Sequence, residues 1–140
     1  MHFQQTYKDT LNVDKVMGAI VGEGVCDFLV ELSSGVPLQS DNLSYLEDPD
    51  NMNFILNELK NDLYNSDNSK WLYNGGSIED RPHDLGYTLG YLISKSYFQN
   101  HPDKIQAVHD LLNTENFEVI YKGSNYSFLL EKDTILSPSI

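Results

Sequence analysis

Apolar residues recur at helical spacing along most of the chain, and the longest such stretch spans 13–33. Asn12 stands where an N-cap would, with Leu11 and Val16 able to close a hydrophobic staple across it. Gly35 stands where a C-terminal stop is expected. Two apolar stripes run along the segment: Val16, Ala19, Ile20, Cys26 and Val30, and Met17, Val21, Val25, Phe28 and Leu32. A helix apolar nearly all round is expected to be buried. Phe54, Ile55, Leu59 and Leu63 predict a second helix over 51–64. A third is predicted over 84–99, where Gly86, Gly90 and Ser94 make a small-residue stripe that lets another backbone come close. Pro102 suits the first turn of the next helix, which puts Ile105, Val108 and Leu112 on one face. Thr114 is placed to cap a short last helix carrying Phe117, Ile120 and Tyr121.

Between these segments, 36–50, with Pro37 and Pro49, reads as an acidic loop. Residues 65–82, rich in Asn, Ser and Gly, read as a long loop around Trp71 and Tyr73, and loops of that length are often functional. Residues 1–9 read as a short helical stub with no capping residue before it, and the tail after Lys132 as frayed. The expected fold class is mainly α, one helical domain over 1–132 with a flexible tail over 133–140.

The composition permits such a fold. At 140 residues, 40% hydrophobic and 11% aromatic, the chain can bury roughly 68–70% of its unfolded surface. Nine basic against 21 acidic residues give a net charge of −12. That balance argues against nucleic acid and against an anionic membrane surface, both of which need Lys and Arg. No apolar run approaches the roughly 20 residues of a membrane span, and no export signal opens the sequence. The single cysteine, Cys26, leaves the redox compartment open.

Charge raises the first chemical question. Glu23 lies mid-way along the apolar helix, Asp27 follows one turn later, and Glu31 continues the row. Buried carboxylates are costly unless paired, hydrogen-bonded or bound to metal. Between Lys15 and Lys60 there is no Lys or Arg, while eight acids stand there. The balancing charge would have to come from a metal, a histidine, or Arg81, the one arginine in the chain. A solvated acidic stripe on a half-exposed helix is the plain alternative. Gly18, Gly22 and Gly24 interrupt the same helix at about 1 kcal/mol each relative to Ala, and the last two flank Glu23, as if something approaches closely there.

A histidine stands at position 2, ahead of this row. Catalytic zinc sites often take two His and one Glu, with water in the fourth position. The two His come from His-Glu-x-x-His on one helix, where the Glu is the general base. If His2 is the second His of such a motif, Glu23 has the right type and place for the third ligand.

Four segments carry a resemblance. They are His2-Phe3-Gln4-Gln5; Glu23-Gly24-Val25-Cys26-Asp27-Phe28, running on to Glu31-Leu32-Ser33-Ser34-Gly35; Trp71 to Gly75; and Arg81-Pro82-His83-Asp84-Leu85-Gly86-Tyr87. In this order, covering the chain up to Tyr126, they resemble the C-terminal part of a bacterial family of predicted zinc-dependent proteases related to gliding-motility lipoproteins, often labelled only as a domain of unknown function. The resemblance implies the helical C-terminal subdomain of a zincin-like, gluzincin-type metallopeptidase acting on a peptide or protein substrate. It implies His2 and Glu23 as zinc ligands, and Asp27 as the carboxylate that orients a ligating imidazole. It places Arg81, His83 and Tyr87 in the segment lining the cleft, with Tyr87 or His83 as donor to the tetrahedral oxyanion. Core packing of Tyr87 and Tyr91 at four-residue spacing is the plain alternative, and His101 and His109 read as surface or capping residues. The resemblance also suggests the cell envelope.

The first His and the general-base Glu of the zinc motif would lie four and three residues before His2, where only Met1 stands. The expectation is therefore that the sequence begins inside its own motif, that this chain alone is inactive as a protease, and that it holds zinc weakly or not at all. A non-catalytic acidic helical interaction domain is the alternative reading, with self-association through the exposed face of helix 13–33.

Overall fold

A computed structural model describes residues 15–72 and 81–131, and the expectations for His2, for the Asn12 cap, for Tyr73 to Gly75 and for the tail lie outside them. The described residues are mainly helical, as the periodicity predicts, and contain no strand. Six α-helices follow in order: α1 Val16–Ser34, α2 Asp41–Glu47, α3 Pro49–Asp62, α4 Leu85–Asn100, α5 Lys104–Asn113 and α6 Phe117–Gly123, before a 3₁₀ turn at Ser127–Leu130.

The ends of α1 show why it starts and stops where it does. Lys15 occupies the N-cap position without a side-chain capping bond. The first amides find backbone partners instead: Val16 N donates to Asn65 O at 2.8 Å and Met17 N to Leu63 O at 2.9 Å. The turn after α3 thus satisfies the orphan donors of α1. At the other end Gly35 is left-handed, φ 76°, and its N–H donates to Glu31 O, a conformation that favours glycine.

Of residues 36–50 only 36–40 form a loop. Ser40 caps α2 by accepting from Leu43 N at 3.1 Å. Asp48 ends α2 and caps α3, accepting from Asp50 N at 2.9 Å, and Pro49 fills the first position of α3, where its missing N–H costs nothing. Pro49 begins a helix here; it does not break one. Two further starts move by a residue or two. Asp103, not Pro102, stands at the head of α5, accepting from Gln106 N. Asn116, not Thr114, stands at the head of α6, while the Thr114 hydroxyl accepts from Asn116 N in the turn before it.

The frame of the molecule is the pairing of α1 with α4. Ile20 meets Gly86 and Gly90, Gly24 meets Gly90, and Glu31 reaches Tyr91 and Lys95. Both series rise together, so the two helices run in the same direction, and α2 and α3 lie in the chain between them. The glycines set the approach: a Cβ at Gly24 would overlap the Gly90 carbonyl carbon and the Tyr91 nitrogen. Nothing described lies within 4 Å of a Cβ placed at Gly22, so of the two glycines beside Glu23 only Gly24 serves a close approach there.

Burial along α1 is uneven. Val16, Met17, Ile20, Val21, Val25 and Phe28 are buried, whereas Val30 is 64% exposed and Cys26 is exposed. The all-round apolar reading therefore holds only from Val16 to Val21, and the C-terminal part of both stripes faces outward. α6 is tied to α1 where the buried Tyr121 hydroxyl donates to Met17 O at 2.9 Å. Trp71, expected in a loop, is fully buried; its indole Nε1 donates to Asp62 Oδ2 at 3.0 Å and its carbonyl accepts from Gly86 N at 2.8 Å. On α5 the buried residues are Ala107 and Leu111; the predicted Ile105, Val108 and Leu112 face turns outward, with Ile105 85% exposed. No helix among the described residues is long and apolar enough to cross a membrane.

Candidate functional site

Of the predicted site residues, Glu23 and Asp27 lie on α1, Tyr87 on α4, and Arg81 and His83 just before α4. Glu23, Asp27 and Glu31 follow one another at four-residue steps on α1, and Glu23 and Asp27 are half-buried. Tyr87, Tyr91 and Lys95 do the same on α4; Tyr87 is half-buried and Tyr91 buried. Four-residue steps keep side chains on one face of a helix. The two rows meet at Glu31. There the Tyr91 hydroxyl donates to Glu31 Oε1, the Leu38 amide donates to the same oxygen at 3.1 Å, and Lys95 Nζ lies 2.8 Å from Oε2. Lys95 also donates to the Tyr91 hydroxyl at 3.3 Å.

This answers part of the charge question in an unexpected way. The partner of the row's last acid is Lys95, not a metal, a histidine or Arg81. Burial alone would raise the Glu31 carboxyl, but the bonds from Lys95, Tyr91 and the Leu38 amide outweigh it and hold it below its ordinary value. Burial and the bond to Glu31 move the Tyr91 phenol up against the opposing effect of Lys95; the bond to Glu31 raises Lys95. A carboxyl depressed in the folded state contributes stability above its unfolded value and loses it as pH falls through the folded one. Urea unfolding from pH 7 downward is thus expected to show an acid loss of stability that is shallower in Glu31→Gln. Equal slopes in the two proteins would show that the carboxylate is not held as described.

Arg81 and His83 lie in a different setting. The Arg81 side chain is 3% exposed, and Nη2 lies 2.6 Å from Glu58 Oε1. Its guanidinium also sits over the Phe54 and Trp71 rings, 5.6 and 5.5 Å from their centroids. These contacts hold the start of the 81–84 segment against α3. His83 is exposed; its Nδ1 is 3.6 Å from Asp84 Oδ2, and its carbonyl accepts from Asn42 Nδ2. Of the three cleft candidates, only Tyr87 lies on α4, one turn before Tyr91.

Zinc ligation can be tested against the donors present. A carboxylate oxygen and an imidazole nitrogen are both zinc ligands. Glu23 supplies the first from a rigid helix, with Asp27 one turn beyond. His2 lies outside the described residues, and among those residues no three His, Cys, Asp or Glu side chains gather closely enough to hold a metal. Among the described residues Glu23 and Asp27 offer carboxylate oxygens only, and they are not part of any such group.

No protein-family model, curated protein or solved structure matches this chain.

The cluster that sequence reasoning missed is the Glu31–Tyr91–Lys95 contact. Lys95 continues the Tyr87 and Tyr91 spacing by one more turn, but that spacing carries no link to Glu31. His101 and His109 behave as capping and surface residues; His101 Nδ1 accepts from Asp103 N at 3.0 Å and His109 is exposed.

Proposed function

We propose that this chain is the helical C-terminal part of a zinc-dependent peptidase, with Glu23 and His2 as zinc ligands, Asp27 as the carboxylate orienting a ligating imidazole, and Tyr87 as the donor facing the reacting carbonyl. What supports the reading is a pair of carboxylates, Glu23 and Asp27, one turn apart on α1, with Tyr87 on α4, the helix packed against it. Four sequence segments in family order support it independently. Zinc, when bound, would polarise a peptide carbonyl and lower the pKa of a water. Glu23 would hold the ion through its carboxylate, and the Tyr87 hydroxyl would offer a hydrogen bond to the oxygen that gains negative charge.

The test restores the motif. Three residues, His-Glu-Ala, are added before Met1, which completes His-Glu-x-x-His ending at His2. One-to-one zinc affinity is expected to rise by about 100-fold or more, since losing even a supporting partner costs about 10–100-fold. Glu23→Ala should abolish the gain. The unextended chain is expected to bind zinc weakly and to hydrolyse no peptide. Equal zinc affinity with and without the addition would sink the reading.

A second reading has its own observation. Leu32, Phe98, Ile105, Val108 and Leu112 line an open groove of about 530 Å³ between the ends of α1 and α4 and the outer face of α5. Apolar grooves of this kind mark docking sites, which suits a non-catalytic interaction domain or self-association. On this reading Ile105→Asp leaves the unfolding midpoint within about 0.5 kcal/mol, as exposed substitutions do, and abolishes any association seen by sedimentation. A monomer at all concentrations before the substitution would remove self-association.

A further inference from the structure

We infer that the outer face of α5 pairs with the same face of a second copy of this chain, the two helices lying antiparallel across a two-fold axis. The inference rests on the docking reading of the groove and names its occupant.

Helix α5 is apolar on two sides. Ala107 and Leu111 are buried inward, while Ile105, Val108 and Leu112 recur at steps of three and four on the outer side. Such spacing sets side chains in one stripe along a helix, the pattern by which one helix seats against another. Ile105 and Leu112, at the two ends of the stripe, are 85% and 58% exposed. Leu32, on the opposite wall of the groove, is 42% exposed.

Two features select a second copy as the occupant. The first is shape. A two-fold contact sets one patch against itself, so that each residue meets its counterpart in exchange. The stripe reads 105, 108, 112 in one direction and 112, 108, 105 in the other, nearly the same steps. Laid antiparallel, Ile105 of each copy meets Leu112 of the partner subunit beside the groove, and Val108 lies near the axis. The face thus carries both the projecting side chains and the groove that receives them.

The second feature is charge. The chain carries −12, and two copies repel wherever their carboxylates face each other. None of the eight residues lining the groove is Asp or Glu; its polar members are Lys104, His109 and Asn113. The acids of α5 and its cap are engaged within their own chain: Asp103 accepts from Gln106 N, and Asp110 accepts from the Tyr97 hydroxyl at 2.6 Å. Charges farther apart than about 8 Å are largely screened at physiological salt, so the remaining acids oppose this contact only weakly. A basic partner, which the net charge would attract, finds no carboxylate in the groove to pair with.

The test uses the whole 140-residue chain. Sedimentation equilibrium is expected to show a reversible monomer–dimer exchange. Ile105→Asp is expected to weaken it by more than about 100-fold, since a buried isoleucine is lost and an unpaired carboxylate takes its place. Ile105 is exposed in the single chain, so this variant keeps the fold. Cys26 is the one cysteine and is exposed on α1. With Cys26→Ser in place, Val108→Cys is expected to give a disulfide-linked dimer on oxidation. A parent that stays monomeric at every concentration overturns the inference and leaves the groove to a different partner. A dimer that Ile105→Asp does not weaken overturns both the inference and the docking reading. Cross-linking of the parent through Cys26, with none through Val108→Cys, puts the contact on α1 and overturns the inference as well.

Discussion

Gly90→Ala is expected to lose at least about 2 kcal/mol of stability, although alanine is the better helix former by about 1 kcal/mol. The new methyl would overlap the Ile20 carbonyl oxygen, and it would lie 2.7 Å from the Ile20 carbonyl carbon and 3.1 Å from Gly24 Cα. All three are backbone atoms within α1, so no side chain can turn aside to relieve the clash. The helices must separate, and overpacking costs typically about 1–3 kcal/mol and occasionally more. Gly22→Ala is the control. Its methyl meets nothing among the described residues within 4 Å, so the propensity term stands alone and a gain of about 1 kcal/mol is expected. Opposite signs in the same urea experiment would establish the close crossing. A Gly90→Ala protein as stable as its parent would refute it.

Trp71→Ala should cost about 3–5 kcal/mol, the usual range for an aromatic side chain removed from a core. The Trp71 ring is fully buried, and two further losses act in the same direction: Asp62 Oδ2 would lose the indole N–H, and the Arg81 guanidinium would lose the ring beneath it. For a domain whose whole stability is about 5–15 kcal/mol, that is a large share. Circular dichroism is the measurement to use, because Trp71 is the only tryptophan and fluorescence vanishes with it. A loss under about 1 kcal/mol would mean that the 68–72 segment is not docked against α3 and α4.

What the sequence makes legible depends on how locally each feature is determined. The body of α1 and of α4 follows from long apolar periodicity, and the α1 stop follows from Gly35. The Gly86 and Gly90 stripe correctly signals a close helix, because only backbone proximity calls for two small residues one turn apart. Helix α2 is hidden by its length: in seven residues, of which Leu46 alone is buried, no period can accumulate. Its one local mark is Ser40 followed three positions later by the Leu43 amide that it caps. Trp71 misleads for a different reason. Its neighbours Asn68, Ser69 and Lys70 are polar, so the segment reads as loop, yet a loop can still send one large ring into the core. The Glu31–Lys95 pair is invisible to any local window, since its members belong to helices far apart in the chain. The acidic row itself is plain in the sequence, but the identity of its partner depends on the direction in which α4 runs past α1.

That shared direction has a consequence for how the chain reaches its native state. A hairpin of antiparallel helices closes over a few residues, but Glu31 and Tyr91 stand 60 positions apart. Joining ends across such a span costs on the order of 3–4 kcal/mol of chain entropy, and the glycine crossing returns little until both helices are formed. Folding speed falls as the mean sequence separation of contacts rises. The main helix pair therefore assembles late, after the local α2–α3 turn has shortened the path, and the chain folds more slowly than an up-and-down bundle of the same size.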